Sequence, residues 1–324
     1  MSCIQIIPPF GAGFCTFSHL YTPKNLDSRS PKCYTIHITH RKESQMISDL
    51  HLHTRLSEDA DQSAENTIST FRRIAGEKGL RFIAVTEHCD IFPSDGTNGY
   101  VNCDLDKYAC EMRAEREKDG SAALLCGIEL AHAHARQKEA EEVISKYDFD
   151  FVLGSLHILR DGFDFWAVDY SDREKYPDEY LEKKYGEYTE ELLEIAEKCD
   201  FDSLAHATYP LRYLRKGGRL PDICTEPSRY FPIYKDIFGS LIRRGKALEI
   251  NTSDVGGAGT FSPTADLLKL YKEMGGRYVT TGSDAHFYRN IGSGIDSAEK
   301  LLRDTGFEGV TVFASRQPNI IRWS

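Results

Sequence analysis

From residue 46 onward the apolar positions alternate between two spacings. Short runs that are apolar throughout, or apolar at every second position, read as strands; longer segments with apolar residues three and four apart read as amphipathic helices. Residues 47–52 (ISDLHL) alternate as a short strand does, and 64–78 (AENTISTFRRIAGEK) then place Ile68, Phe71, Ile74 and Ala75 at helical spacing. Further strands are predicted over 81–86, 122–130, 151–156, 201–205, 246–250, 277–282 and 309–313. Helices are predicted over 105–118, 136–147, 177–198, 228–244, 263–274 and 296–305. Pro177 suits a first helical turn, and Gly245 suits a C-terminal cap. Residues 91–102, with Pro93, Gly96 and Gly99, read as a loop. Apolar strands alternating with helices call for a parallel sheet covered by helices. Seven or eight such units suit one α/β domain, a closed or nearly closed barrel. No GxGxxG follows the first strand, which argues against a nucleotide-binding doubly wound sheet.

Residues 1–45 read differently. They carry Pro8, Pro9, Gly11, Gly13, Pro23 and Pro31 and no sustained periodicity. Lys24, Arg29, Lys32, Arg41 and Lys42 outweigh Asp27 and Glu43, so this stretch is +3 and the remainder −13 within a net charge of −10. It lacks the charged start and long apolar region of a signal peptide. The expectation is an extension outside the fold, preceding one domain over 46–324, with translation of the folded part starting at Met46. His19, His37 and His40 are expected to have no role.

Composition adds bounds. The chain of 324 residues is 40% hydrophobic and 28% charged, as soluble globular proteins are. Its acidic balance excludes nucleic acid as an expected partner, while a small phosphorylated substrate remains open because metals can reverse the local sign. No apolar run is long enough for a membrane span. Nine cysteines at irregular spacing, without CxxC, favour free thiols in the cytoplasm, with Cys89, Cys126 and Cys199 filling the core. The oligomeric state stays open.

The chemistry collects at strand ends. His51 and His53 are i and i+2 at the end of the first strand, so both imidazoles can face one side of the pleat. His88, Glu129, His157, His206, and Asp284 with His286 each fall at or just past the end of a different strand; Asp59 follows the first on its loop. In a βα barrel those ends converge on one face. Six of the eight histidines after Met46 occupy such positions, whereas structural histidines would scatter. Six His with two or three carboxylates exceed the needs of one ion, so two or three divalent ions, Zn, Mn or Fe, are implied. Glu87 is read as a residue orienting the site from behind. His132 and His134 (AHAHA) form a second HxH that is read as structural. Arg160 and Arg212, just past the ends at His157 and His206, are candidate phosphate contacts.

This order, HxH, then His, Glu, His, His and a final DxH, resembles the polymerase and histidinol phosphatase (PHP) superfamily; with the further ligand of that family falling on Asp59, all nine ligand positions are occupied. DLHLHT, VTEH, GIEL, GSLH, LEINTS and the tail GSDAH…IGSGIDSAEKLLRDTGFEGVTVF resemble its histidinol-phosphatase branch, from about residue 46 to the C-terminus. The resemblance implies a distorted (βα)7 barrel with three ions. His51, His53, Glu129 and Asp284 would hold one; Glu129, His157 and His206 a second; Asp59, His88 and His286 a third. Asp284 and His286 are the positions it assigns to catalysis, with Asp284 or a metal-bound water as alternative proton donors. Water acidified between two dications would attack phosphorus without a phosphoenzyme. The substrate implied is L-histidinol phosphate, the activity a phosphoric monoester hydrolase of histidine biosynthesis. Asp161, Asp164, Phe163, Trp166 and Tyr209 are candidates for its ammonium and imidazole, Asp164 foremost. One departure concerns the substrate: after Asn251-Thr252-Ser253 the chain reads DVGGAGTF, where the branch often has a basic loop. The alternative is another small phosphorylated metabolite or nucleotide. A proofreading module of a replication protein fits the acidic charge poorly, and against a zinc amidohydrolase, no strand end of this chain offers the lysine that often bridges the metals of that class.

Overall fold

The computed structural model describes residues 3–7, 33–37, 46–91, 103–221, 227–256 and 259–323. The chain divides into two units, Met1–Gln45 and Met46–Ser324. In the first, β1 (Cys3–Ile7) and β2 (Cys33–His37) pair in parallel with Cys3 opposite Cys33. The apolar pattern predicts neither strand. His37 ends β2, while His19 and His40 lie outside the described residues.

The second unit is built on parallel strands β3 (Ser48–Asp49), β4 (Phe82–Val85), β5 (His88–Asp90), β6 (Ala123–Ala131), β7 (Phe151–Ser155), β8 (Ser203–Leu204), β9 (Ala247–Asn251) and β10 (Val279–Gly282). The spatial order β3-β4-β6-β7-β8-β9-β10 follows the sequence, and β5 continues beyond β4 along the far half of β6. The first and last strands then meet: Leu50 N–H donates to the Thr281 carbonyl at 2.8 Å, and Leu52 bridges Ala285 in parallel. The result is a nearly closed seven-strand parallel α/β barrel. All nine residues of β6 are buried, as a strand covered on both faces requires.

Helices α1 (Ile68–Glu77), α2 (Leu105–Arg116), α3 (Gln137–Lys146), α4 (Asp178–Lys198), α5 (Tyr209–Lys216), α6 (Phe231–Arg244), α7 (Ala265–Glu273) and α8 (Ile295–Asp304) intervene. Their ends follow local chemistry. The Thr67 hydroxyl accepts Thr70 N–H at 3.3 Å to start α1, and the Asp104 carboxylate accepts Lys107 N–H at 3.0 Å to start α2. Gly245 closes α6 at φ 65°, a left-handed position that glycine adopts without strain. Helix α5, absent from the predicted elements, is only eight residues long and has Pro210 in its first turn. The predicted loop at 91–102 lies almost wholly outside the described residues.

Two strand expectations are revised. The first strand is regular only at Ser48–Asp49; beyond it the chain runs between the segments after β4 and β10, with the Leu52 carbonyl accepting Thr86 N–H at 2.8 Å on one side and Leu52 bridging Ala285 on the other. The strand at 309–313 is β11 (Gly309–Ala314), and it is not an eighth barrel strand. It pairs antiparallel with β12 (Gln317–Arg322) through Ser315 and Arg316, both at positive φ, the conformation of a two-residue hairpin turn. Arg316 forks onto Asp200 at 2.8 and 2.9 Å and reaches Asp202 at 3.0 Å, while Phe313 stacks on Phe151 at 5.3 Å. Those partners sit at the starts of β7 and β8, so the hairpin covers the end of the barrel opposite the histidines. Cys89, Cys103, Cys110, Cys126 and Cys199 are free thiols, and no helix among the described residues is long and apolar enough to cross a membrane.

Candidate metal centre

The closure of the barrel assembles the site. Leu52 lies beside Ala285, so the alternation of side chains turns His51 and His53 to the same side as Asp284 and His286. Asp284 N–H donates to the His51 carbonyl at 2.9 Å and His53 N–H to the Ala285 carbonyl at 3.0 Å, zipping the HxH and DxH segments together. On the other side, the β5–β6 register sets His88 opposite Glu129. His157 and His206 follow β7 and β8. His206 and Asp284 take positive φ values of 23° and 55°, a strained backbone that turns their side chains at the strand ends.

Three sets of donor atoms result. His51 Nε2 and His53 Nε2 lie 3.3 and 3.4 Å from Glu129 Oε2, and each lies 3.6 Å from Asp284 Oδ1. His157 Nε2 and His206 Nε2 lie 3.1 and 2.8 Å from Glu129 Oε1 and 3.4 Å from each other. His88 Nε2 and His286 Nε2 each lie 3.2 Å from Asp59 Oδ2 and 3.3 Å from each other. Ligands about 2.1 Å from a tetrahedral ion stand about 3.4 Å apart, so the spacing fits. Grouping by mutual proximity also joins His53 with His88 and His286, and His51 with Glu129 and His206, so the sets form one continuous cluster. Burial is graded: Glu129, His51 and His53 are fully enclosed, while the His286 and Asp59 side chains are 33% and 57% exposed. The cluster therefore opens at its Asp59–His286 end.

Its polar atoms fit cations. His51 Nε2, both nitrogens of His53 and Glu129 Oε2 are buried without a hydrogen-bond partner among the described residues, a costly state that an ion would relieve. Burial opposes ionisation of Glu129, but His51, His157 and His88 hold it well below the usual carboxylate range. Asp284 is likewise held low against burial, by His51, His286, Arg212 and His53, so it is an anion and suits a ligand better than a proton source. Burial, with His88 and His286 nearby, keeps His53 well below the ordinary histidine value, whereas, against burial, the surrounding carboxylates hold His51 and His88 well above it, so ion binding there would release protons.

The other expected residues separate. Arg212, carried by α5, is almost enclosed; its Nη2 lies 3.5 Å from Asp284 and its guanidinium 5.0 Å above the Tyr209 ring. Its Nε and Nη2 have no hydrogen-bond partner among the described residues. Tyr209 lies against His157 and His206, with ring centroids 5.3 and 5.2 Å away. Asp164 folds back beside Ile158 and accepts Trp166 N–H at 2.8 Å; burial raises its pKa against the pull of that bond and of His157. Arg160 is engaged from α4. Its guanidinium pairs with Glu194 at 2.6 Å and reaches the His134 carbonyl at 3.4 Å, because α4 presents acidic residues to this loop. Asp161 pairs with Lys184, Phe163 packs on Phe165 and Tyr180, and Trp166 is 70% exposed.

Glu87 turns from the cluster and accepts bonds from Thr54 and Ser57, with burial pushing its pKa up to about 7. It thereby ties down the loop leading to Asp59. His132 Nε2 accepts the backbone N–H groups of Ile158 at 3.0 Å and His157 at 3.3 Å, and His134 Nε2 donates to Glu191 at 2.9 Å. Burial pushes His132 down to about 4, consistent with a neutral bracing residue. Two contacts escaped the sequence pattern: Asp90, 3.8 Å from His157 Nδ1, and Glu249, 2.7 Å from His51 Nδ1. For Glu249 the available signal was a lone carboxylate inside an apolar strand.

A PHP domain model matches residues 49–253, and the chain belongs to that family. Fold and site together are those of a metal-dependent phosphoesterase of the PHP type, with several His, Glu and Asp clusters suited to metal ions. Among its relatives is the histidinol-phosphatase of Lactococcus lactis subsp. lactis (strain IL1403), 28% identical over 269 residues, covering 82% of this chain and 94% of the relative. Another, named "Probable histidinol-phosphatase", from Clostridium acetobutylicum, is 29% identical over 272 residues, covering 82% and 96%. The crystal structure of histidinol phosphate phosphatase from L. lactis subsp. lactis Il1403, complexed with zinc, L-histidinol and phosphate, shares the fold. It superposes with a TM-score of 0.66 at 23% identity, covering 85% of this chain and all of the other.

Proposed function

We propose that this protein hydrolyses L-histidinol phosphate to L-histidinol and phosphate, as a cytoplasmic enzyme of histidine biosynthesis using three divalent ions. The observation carrying the reading is one continuous cluster of His, Glu and Asp donor atoms at the strand ends, with a nearly enclosed arginine beside it. His51, His53, Glu129 and Asp284 would hold one ion, Glu129, His157 and His206 a second, and Asp59, His88 and His286 a third; zinc, manganese and iron all suit this mixed nitrogen and oxygen set. Such ions supply an acidified water and cancel charge on phosphoryl oxygens. Arg212, ion-paired with Asp284 at 3.5 Å but with Nε and Nη2 free of hydrogen bonds among the described residues, would bind and orient the phosphoryl group. The Tyr209 ring and the Asp164 carboxylate offer an aromatic wall and an anion for the imidazole and ammonium of the substrate. Relatives named for this activity, at 28–29% identity, support the choice of substrate.

A second reading, another small phosphorylated metabolite, draws on the segment after Ser253, which lacks the basic residues expected there and of which 257–258 lie outside the described residues. Phosphate release by metal-reconstituted protein separates the two. A lead of about 100-fold in kcat/KM for L-histidinol phosphate over sugar phosphates and nucleotides, about 2.7 kcal/mol in the transition state, supports the first. Feeble and equal turnover of the whole panel rejects that substrate while leaving the metal site standing.

A further inference from the structure

Strand β9 places two buried polar residues, Glu249 and Asn251, among Ala247, Leu248 and Ile250. Alternation sets both on one side of the strand. Glu249 Oε1 accepts His51 Nδ1–H at 2.7 Å. Its Oε2 accepts His206 N–H at 2.8 Å and Asn251 Nδ2–H at 3.2 Å. The same Asn251 nitrogen lies 3.3 Å from Asp284 Oδ2, and Asn251 Oδ1 is held by Ser253. One carboxylate thus touches the side chain of one candidate ligand and the backbone of a second, and reaches a third through Asn251. Glu249 itself belongs to none of the donor-atom groups among the described residues.

The bond to a carboxylate makes Nδ1 the protonated nitrogen of His51. Nε2 is then the nitrogen that faces Glu129 and Asp284, and the one that would bind an ion there on giving up its proton. The neighbouring strand is shaped for this pair. A β-carbon at Gly282 would overlap both Glu249 Oε1 and the β-carbon of His51, so only glycine allows the approach.

We propose that Glu249 is a positioning residue that fixes the tautomer and orientation of His51, and through His206 and Asn251 the cluster around it, for divalent-ion binding. The proposal rests on the reading of the cluster as a metal site. Glu249→Gln retains the size but cannot accept at both oxygens. Zinc affinity, read by competition with a chromophoric chelator, is expected to fall about 10- to 100-fold for one ion per chain, with the melting temperature of the metal-free protein nearly unchanged. Equal affinities in the two proteins overturn the proposal, whatever happens to the melting temperature. Should the variant fail to fold, 15N NMR of the zinc-loaded wild type decides. A protonated Nδ1 and metallated Nε2 at His51 uphold it, and an unprotonated or metallated Nδ1 overturns it. A wild-type chain that takes up no zinc overturns the metal reading itself, which is a separate outcome.

Discussion

Glu129 is shared more widely than any other side chain of the cluster. Oε1 faces His157 and His206, and Oε2 faces His51, His53 and His88. Glu129→Gln therefore weakens two donor sets at once. Loss of a ligand exceeds the ~10- to 100-fold typical of losing a ligand's supporting partner, so phosphate release is expected to fall more than ~100-fold, with metal content measured alongside. The two arginines separate in the same way. Arg212→Ala is expected to lower kcat/KM at least ~10-fold, whereas Arg160→Ala, which leaves Glu194 paired with Lys198, changes it less than ~3-fold; steady-state kinetics on both variants checks this. The gathering of the candidate ligands was legible because each of them except Asp59, which lies on a loop, falls at a strand end. The different fates of Arg160 and Arg212 were not, because long side chains choose partners from other elements.

Elements differ in how much of their placement is local. Helix α1 announces itself by Thr67 and the spacing of Ile68, Phe71 and Ala75; Thr67→Ala is expected to cost about 1 kcal/mol in urea unfolding. The start of α4 depends on a distant residue. Arg219, with a fully buried side chain, donates to Asp178 and to the carbonyls of Tyr170 and Tyr176. Arg219→Leu strands those acceptors and is expected to cost about 3 kcal/mol by the same measurement. Helix α5 was missed, yet it brings both Tyr209 and Arg212 to the site. Its eight residues are too few for a periodic signal to stand out from the turn that His206 begins.

For the whole molecule, the cluster gathers buried polar atoms without hydrogen-bond partners among the described residues, which bound cations would satisfy. Chelation is expected to lower the melting temperature and abolish phosphate release, and added zinc or manganese to restore both; calorimetry with and without chelator tests this. Residues 46–324 contain the barrel, its terminal hairpin and every candidate ligand. A chain beginning at Met46 is therefore expected to keep the melting temperature and activity of the full chain within error; loss of either rejects the idea that 1–45 is dispensable.

The sequence by itself determined the alternation of strands and helices and the order in which ligand-type residues end the strands. Both are local: a period of two or 3.6 residues records which side of an element is buried, whatever it packs against. Tertiary structure alone decided that Leu52 meets Ala285, that Glu249 backs His51, and that β11 turns aside into a hairpin rather than joining the barrel. These contacts join residues far apart in the chain or depend on closure of the sheet, and no periodicity along one segment encodes the position of another.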